Sequence, residues 1–118
     1  MPGGYSYNYK NTEGAKENAL SGYSTLVDVI QWGREKGLND PKAQLNKVME
    51  EVGEIAHEIT RNNYESEELV DAIGDTLVTV IILSDILDID PIGALQDAYQ
   101  VIKDRKGKTQ NGTFVREA

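Results

Sequence analysis

The feature that most constrains the fold is an apolar stretch in the second half of the chain. Over residues 73–87 the sequence is apolar on nearly every side of a helix, and a helix that is hydrophobic all round is buried on several sides. Its most apolar part, residues 77–83, is far shorter than the roughly 20 residues that a membrane-spanning helix needs. The stretch therefore predicts the central helix of a helical bundle, and no membrane segment.

Start and stop signals divide most of the chain into four helices. The pair Asp-Pro occurs at residues 40–41 and again at 90–91, where Asp is a natural N-cap and Pro a natural first helical residue. Ser66 is the predicted cap of the third helix, and Gly37 and Gly107 are the glycines expected to end the first and the last. The predicted helices cover residues 19–36, 41–61, 67–87 and 91 to 105 or 106.

The two ends of the chain differ from the helical part. Asn111-Gly112 is the strongest two-residue hairpin signal and predicts a short C-terminal β-hairpin. Residues 1–17, rich in Gly, Tyr and Asn and without a helical period, are predicted to be an N-terminal arm. Because short connections favour antiparallel neighbours, residues 18–118 are predicted to form a single all-α domain, a four-helix bundle with a C-terminal β-hairpin.

Composition excludes several classes of function. The net charge is −8, which disfavours nucleic-acid binding through a basic surface. The chain has no cysteine, so disulfides, thiolate zinc sites and cysteine nucleophiles are excluded. No basic segment followed by an apolar run marks a secretory signal, and we expect a cytoplasmic location. A basic cluster near the C-terminus is suited to gripping one or a few phosphates; its members include Lys103, Arg105 and Lys106.

Carboxylates on the second and third predicted helices form two stripes at helical spacing. Glu51 and Glu54 lie beside the apolar face of one helix, and Asp71 and Asp75 share a face of the next. If the two helices are antiparallel neighbours, these acids meet and repel one another. A hard divalent cation such as Mg²⁺, which takes oxygen ligands and substrate phosphates, resolves that repulsion. The alternative is a solvated acidic face, which is the favoured reading for Glu50.

A di-iron site is a second alternative for these acids. Glu54-Ile55-Ala56-His57 matches the Glu-x-x-His motif of di-iron bundles, but such sites need two motifs and the chain has one histidine. His57 is therefore predicted to be a surface or interface residue. No nucleophile elbow or glycine-rich phosphate loop is present in the sequence.

Residues 47–54 and 71–78 together resemble the MazG-like nucleotide pyrophosphohydrolases, which belong with the all-α NTP pyrophosphatases. The family motif is Glu-Glu-x-x-Glu, a gap and then Glu-x-x-Asp, and Glu50-Glu51-x-x-Glu54 matches its first half. The second half fits in two registers. Glu68-x-x-Asp71 matches literally, whereas the preferred register uses Asp75, places Ala72 where the family has Glu, and makes Asp71 the substitute.

The resemblance implies hydrolysis of a nucleoside triphosphate to the monophosphate and pyrophosphate, with Mg²⁺ or with Mn²⁺ in its place. It also implies a homo-oligomer, a dimer or a tetramer. The expected metal ligands are Glu51, Glu54, Asp71 and Asp75. The expected catalytic residues are Glu50, Glu51, Glu54 and Asp75, and Glu50 or Glu58 is the candidate proton acceptor.

Substrate contacts are expected from basic and aromatic side chains. Lys103, Arg105 and Lys106 are candidates for the leaving pyrophosphate. Lys47 is expected either to form a salt bridge with Glu51 or to reach a phosphate. Trp32 is a candidate for stacking on the base, although a tryptophan in a helix more often belongs to the core. The alternative function is a non-catalytic bundle that binds nucleotide or metal as a sensor or accessory protein.

Overall fold

The computed structural model describes residues 19–117, and the predicted N-terminal arm lies outside them. The described chain is mostly helical and ends in a two-stranded antiparallel hairpin, which confirms the predicted all-α, four-helix class. None of its helices is long and apolar enough to cross a membrane. The elements are α1 (Ala19–Glu35), α2 (Pro41–Thr60), α3 (Glu67–Ile86), α4 (Pro91–Ile102), β1 (Gly107–Gln110) and β2 (Thr113–Arg116).

Side-chain caps fix the starts of three helices where the sequence predicts them. The Asp40 carboxylate accepts hydrogen bonds from the backbone N–H groups of Lys42 and Ala43. Ser66 Oγ accepts from Leu69 N at 3.0 Å, and Asp90 accepts from Ile92 N at 3.0 Å. Each cap satisfies N–H groups that the first helical turn leaves unpaired.

The predicted end of the last helix is wrong. Helix α4 ends at Ile102, and Gly107 begins β1 instead of terminating the helix. A methyl group on Gly107 would overlap the Val115 carbonyl oxygen and the Phe114 ring. The glycine is therefore required by close packing inside the hairpin. The predicted turn at Asn111-Gly112 is confirmed, with both residues at positive φ as a tight hairpin turn demands.

Helix α3 lies at the centre of the arrangement, as predicted. Within residues 19–117 its backbone approaches α1, α2 and α4, whereas those three helices do not approach one another. The contacts of Gln44 with Thr79 and of Glu58 with Ser66 show that α2 and α3 run antiparallel.

The apolar core around α3 is small. Leu69, Ala72 and Ile82, all on α3, are its buried hydrophobic residues among those described. Other apolar side chains of the same helix remain exposed, including Leu77 at 59%. A single chain therefore covers only part of the apolar surface of its central helix, and the bundle is open.

Candidate functional site

A cavity of about 620 Å³ lies between α2 and α3, beside the end of α1 and the turn that follows it. The antiparallel pairing of α2 and α3 supplies its two long walls, and Trp32 and the α1–α2 turn close one end. Its residues are Trp32, Gly37, Leu38, Asn39, Asp40, Ala43, Gln44, Lys47, Glu51, Asp75, Val78, Thr79 and Ile82. Four of them are predicted site residues: Trp32, Lys47, Glu51 and Asp75.

The acidic part of the cavity is formed by one carboxylate from each long wall, Glu51 from α2 and Asp75 from α3. The Glu51 side chain is only 14% exposed, and Asp75 is exposed. A part-buried carboxylate costs free energy unless a cation or hydrogen-bond donors compensate it. The cavity therefore places two hard oxygen donors where a cation would be stabilised.

Lys47 supplies the positive charge nearest to Glu51 that the structure shows. Its Nζ lies 3.9 Å from Glu51 Oε1 and 3.4 Å from both carboxylate oxygens of Glu50. Spacings of three and four residues bring these side chains together on one helix. Of the two roles expected for Lys47, the structure shows the salt bridge. Glu50 is drawn toward Lys47 and does not line the cavity.

The other predicted metal ligands lie elsewhere in the single chain. Asp71 shares with Asp75 a second cavity of about 490 Å³, whose α1 wall includes Gly22, Thr25 and Leu26. Glu54 is exposed and lines neither cavity. Over the described residues, no group of three or more His, Asp or Glu side chains is close enough to hold a metal ion. The chain thus brings Glu51 and Asp75 to one cavity, and Asp71 meets only Asp75.

Ala72, which the preferred register of the motif places where the family has glutamate, belongs to the core. Ala72 is 4% exposed, and its backbone oxygen accepts a hydrogen bond from Thr76 Oγ1 at 2.7 Å. It carries no donor for a metal or a phosphate. Asp71, one residue earlier, lies on the side of α3 that faces α1.

Glu58 holds the connection between α2 and α3. Its Oε1 accepts hydrogen bonds from Ser66 Oγ at 2.8 Å and from Asn63 Nδ2 at 3.4 Å. Ser66 Oγ in turn caps α3 by accepting from Leu69 N. The buried carboxylate is therefore satisfied by the turn that it organises.

Trp32 lines the cavity and is 49% exposed, so it is not the core residue that its helical position also allowed. Its exposed ring surface is available for stacking on a planar ligand.

Lys103, Arg105 and Lys106 are exposed, between the end of α4 and the start of β1, and they do not line the cavity.

Gln44 is a cavity residue that the motif does not reveal. It is buried, and its Nε2 donates a hydrogen bond to the backbone oxygen of Thr79 at 3.1 Å. Its position on the apolar stripe of α2, one turn before Val48, is the signal that could have identified it. A polar side chain on a core-facing stripe requires a partner.

An ion pair between Arg34 and Asp85 joins α1 to α3. Arg34 Nη2 and Nε donate to the two carboxylate oxygens at 2.6 and 2.9 Å. This bidentate hydrogen bonding, with the guanidinium charge, lowers the pKa of Asp85, although partial burial opposes the shift. The same hydrogen bond raises the pKa of Arg34. The pair fixes the α1 end that carries Trp32.

Together these features define a helical protein with an acid-lined cavity between antiparallel helices. A family model of the MazG nucleotide pyrophosphohydrolase domain matches residues 39–108, which is more than half of the chain, and the protein belongs to this family. The matched segment contains α2, α3 and α4 whole, and with them Lys47, Glu51 and Asp75. No curated protein and no solved structure matches the chain.

Proposed function

We propose that this protein hydrolyses a nucleoside triphosphate to the monophosphate and pyrophosphate, using Mg²⁺ or Mn²⁺. Membership of the MazG family supports a nucleotide pyrophosphohydrolase. The observation that carries the proposal for this chain is the shared cavity of Glu51, Asp75, Lys47 and Trp32. It combines oxygen ligands, a cation and an aromatic face, which are the groups that a metal–nucleotide complex needs.

The donor set of the cavity fits Mg²⁺. This ion is commonly held by one or two carboxylates together with substrate phosphates and several waters. Glu51 and Asp75 supply two carboxylates, so a third protein ligand is not required for the ion to be held with its nucleotide. Glu54 and Asp71, each one turn from a cavity carboxylate, are the residues proposed to complete the site. When bound, the ion neutralises phosphate charge and lowers the pKa of a coordinated water.

The remaining residues have separate proposed roles. Glu50, which is exposed and among the described residues is held by Lys47, accepts the proton of the water that attacks the α-phosphorus. Lys47 leaves its two glutamates to contact a phosphate, because a dianionic phosphate competes well for an ammonium group. Trp32 stacks on the base. Lys103, Arg105 and Lys106 stabilise the leaving pyrophosphate, from a second copy of the chain since they do not line the cavity of their own.

A homo-oligomer, a dimer or a tetramer, is part of the proposal. Several large apolar side chains of α3 and α4 are exposed in the single chain, among them Leu77, Leu95 and Val101. Burying such surface against a second copy is favourable by about 25 cal/mol per Å². Light scattering on the full chain tests this directly, and a monomeric mass at micromolar concentration contradicts it.

A non-catalytic nucleotide-binding protein is the second candidate. It is favoured by the buried Ala72, which stands where the family has glutamate in the preferred register of the motif. Under this alternative the chain binds a triphosphate with Mg²⁺ but does not cleave it.

Product analysis distinguishes the two candidates. The full chain is incubated with each ribo- and deoxyribonucleoside triphosphate and Mg²⁺ in ¹⁸O-labelled water. The proposal predicts pyrophosphate and a monophosphate that carries the label, because water attacks the α-phosphorus. Label in the pyrophosphate would contradict this chemistry, and binding without any product would favour the sensor.

A further inference from the structure

We infer that Gln44 selects the base of the substrate, by accepting a hydrogen bond from an exocyclic amino group on a cytosine or adenine nucleotide. The inference rests on the proposed function, because it assigns a ligand group to the same cavity. The buried Gln44 carboxamide has a hydrogen-bond partner on α3, which fixes its orientation.

The orientation of the Gln44 amide follows from hydrogen-bond chemistry. The backbone oxygen of Thr79 can only accept, so the amide nitrogen of Gln44 must be the atom that lies 3.1 Å from it. The carboxamide oxygen therefore points away from that contact. No described residue donates to this oxygen, and no fully buried side-chain polar atom in the same part of the chain lacks a partner. The oxygen thus keeps access to solvent.

The accessible part of Gln44 belongs to the cavity. The residue is 6% exposed and is one of the cavity's lining residues. A carboxamide that is buried on one side and held by a helix backbone has lost most of its rotamer freedom. Its free oxygen is therefore a preorganised acceptor, and a ligand that bonds to it pays little ordering entropy.

The position of Gln44 matches the base end of a bound nucleotide. Gln44 precedes Glu51 by two helical turns, a separation of about 10 Å at 1.5 Å per residue. On α3 the order is reversed, with Asp75 near Glu51 and Thr79 near Gln44. The cavity thus has an acidic end, with Glu51 and Asp75, and an amide end, with Gln44. The Asp40 carboxylate also lies at the amide end, where it accepts hydrogen bonds from two backbone N–H groups of the first turn of α2. Trp32 is the aromatic residue that lines the cavity. A nucleotide whose phosphates meet the acidic end directs its base toward the amide end.

A fixed acceptor discriminates between bases. Cytosine and adenine carry an amino group, a donor, where uracil and hypoxanthine carry a carbonyl oxygen. That oxygen would face the Gln44 oxygen with no proton between them, leaving two desolvated acceptors unpaired. Asn39 also lines the cavity, but it is exposed, and no hydrogen bond from residues 19–117 holds its side chain. It is therefore a weaker candidate for selection.

The experiment compares ligands that differ at a single group. Non-hydrolysable α,β-imido triphosphates of deoxycytidine, deoxyuridine and the pyrimidin-2-one deoxynucleoside, which lacks the amino group, are titrated calorimetrically with Mg²⁺. The wild-type chain is expected to bind the cytosine compound about tenfold more tightly than the other two, the effect of one well-formed hydrogen bond. Gln44→Met, of similar length and with only a weakly accepting thioether, is expected to bind all three within about twofold.

The matched control is Gln100→Met, the same change at an exposed position of α4, which should keep the wild-type preference. Equal binding of the cytosine and uracil compounds by the wild type would overturn the inference, as would a preference that survives Gln44→Met. If Gln44→Met does not fold, the three-ligand comparison on the wild-type chain still decides.

Failure of the proposed function gives a different result. Selective binding of the cytosine compound without pyrophosphate release from dCTP would remove the hydrolase proposal and leave base selection by Gln44 standing. Turnover of dCTP and dUTP with equal kcat/KM and equal affinity would remove only the inference about Gln44. Absence of binding by every nucleotide would overturn both.

Discussion

Glu51 on α2 and Asp75 on α3 line the same cavity, and in the part of the chain that the structure describes no third carboxylate lies close enough to complete a metal site with them. Two carboxylates are enough to hold Mg²⁺ when phosphate oxygens fill further positions. The geometry of this pair therefore favours joint binding of ion and nucleotide over a metal site that is complete in advance.

Joint binding predicts a strong synergy in thermal stability. Mg²⁺ alone should shift the melting temperature little, whereas Mg²⁺ with a non-hydrolysable triphosphate should raise it by several degrees, since a ligand at about 100 times its Kd adds about 2.7 kcal/mol. Differential scanning fluorimetry on the full chain measures both shifts. A large shift with Mg²⁺ alone, or additive shifts, would contradict the account. Glu67→Gln, at an exposed position of the first turn of α3, should behave as the wild type.

Glu58 is predicted to support the fold and not the chemistry. Glu58→Ala removes the acceptor of Ser66 and Asn63 and should lower the free energy of unfolding by about 1–3 kcal/mol, the cost of leaving buried groups unpaired. Urea unfolding measures this loss. The activity per folded molecule should stay close to that of the wild type. A stable variant with no turnover would instead make Glu58 a catalytic residue.

The Arg34–Asp85 pair predicts a defined dependence of stability on pH. Because Arg34 lowers the pKa of Asp85, the ionised pair stabilises the fold above the ordinary Asp pKa of about 3.9. This contribution is lost as the pH falls through the lowered folded-state value. Asp85→Asn should therefore reduce the urea midpoint at pH 7 and have a much smaller effect at pH 2. A difference that persists unchanged in acid would contradict the assignment.

Gly33 is predicted to be needed for close packing of α1 on α3. A Cβ added there would lie 3.2 Å from Ile82 Cγ1, whereas one added at Gly22 of the same helix meets nothing within 4 Å. Gly22→Ala should stabilise the protein by about 0.5–1 kcal/mol through helix propensity. Gly33→Ala should gain less or lose stability, because Ile82 must move. An equal change in melting temperature for the two variants would contradict this, because it would show that the Ile82 side chain moves without cost.

Local features of the fold could be predicted from the sequence, whereas its long-range contacts could not. The caps at Asp40, Ser66 and Asp90 depend on residues within one helical turn, and all three are confirmed. The predicted end of α4 is wrong because Gly107 is required by its close approach to Val115 across the hairpin. That demand is invisible in the helical pattern that precedes it.

The candidate site shows the same division. Helical spacing predicts which acids share a face of one helix, but the rotation of α3 about its axis decides which neighbour that face meets. Asp71 consequently meets α1 residues, while Asp75 reaches both cavities. Gln44 and Glu58 are buried, and their hydrogen-bond partners are 35 and 8 residues away. Composition and periodicity therefore describe them only as polar residues on a helix.

The most direct test of the account is pyrophosphate release by Asp75→Asn, compared with the wild type and with Asp97→Asn, the same change at an exposed position of α4. With Mg²⁺ and a triphosphate that the wild type cleaves, Asp75→Asn should lose about 100-fold or more in kcat/KM, the loss expected when an ion that stabilises the transition state is displaced. Asp97→Asn should retain full activity. Turnover by Asp75→Asn at the wild-type rate would contradict the proposed role of the cavity.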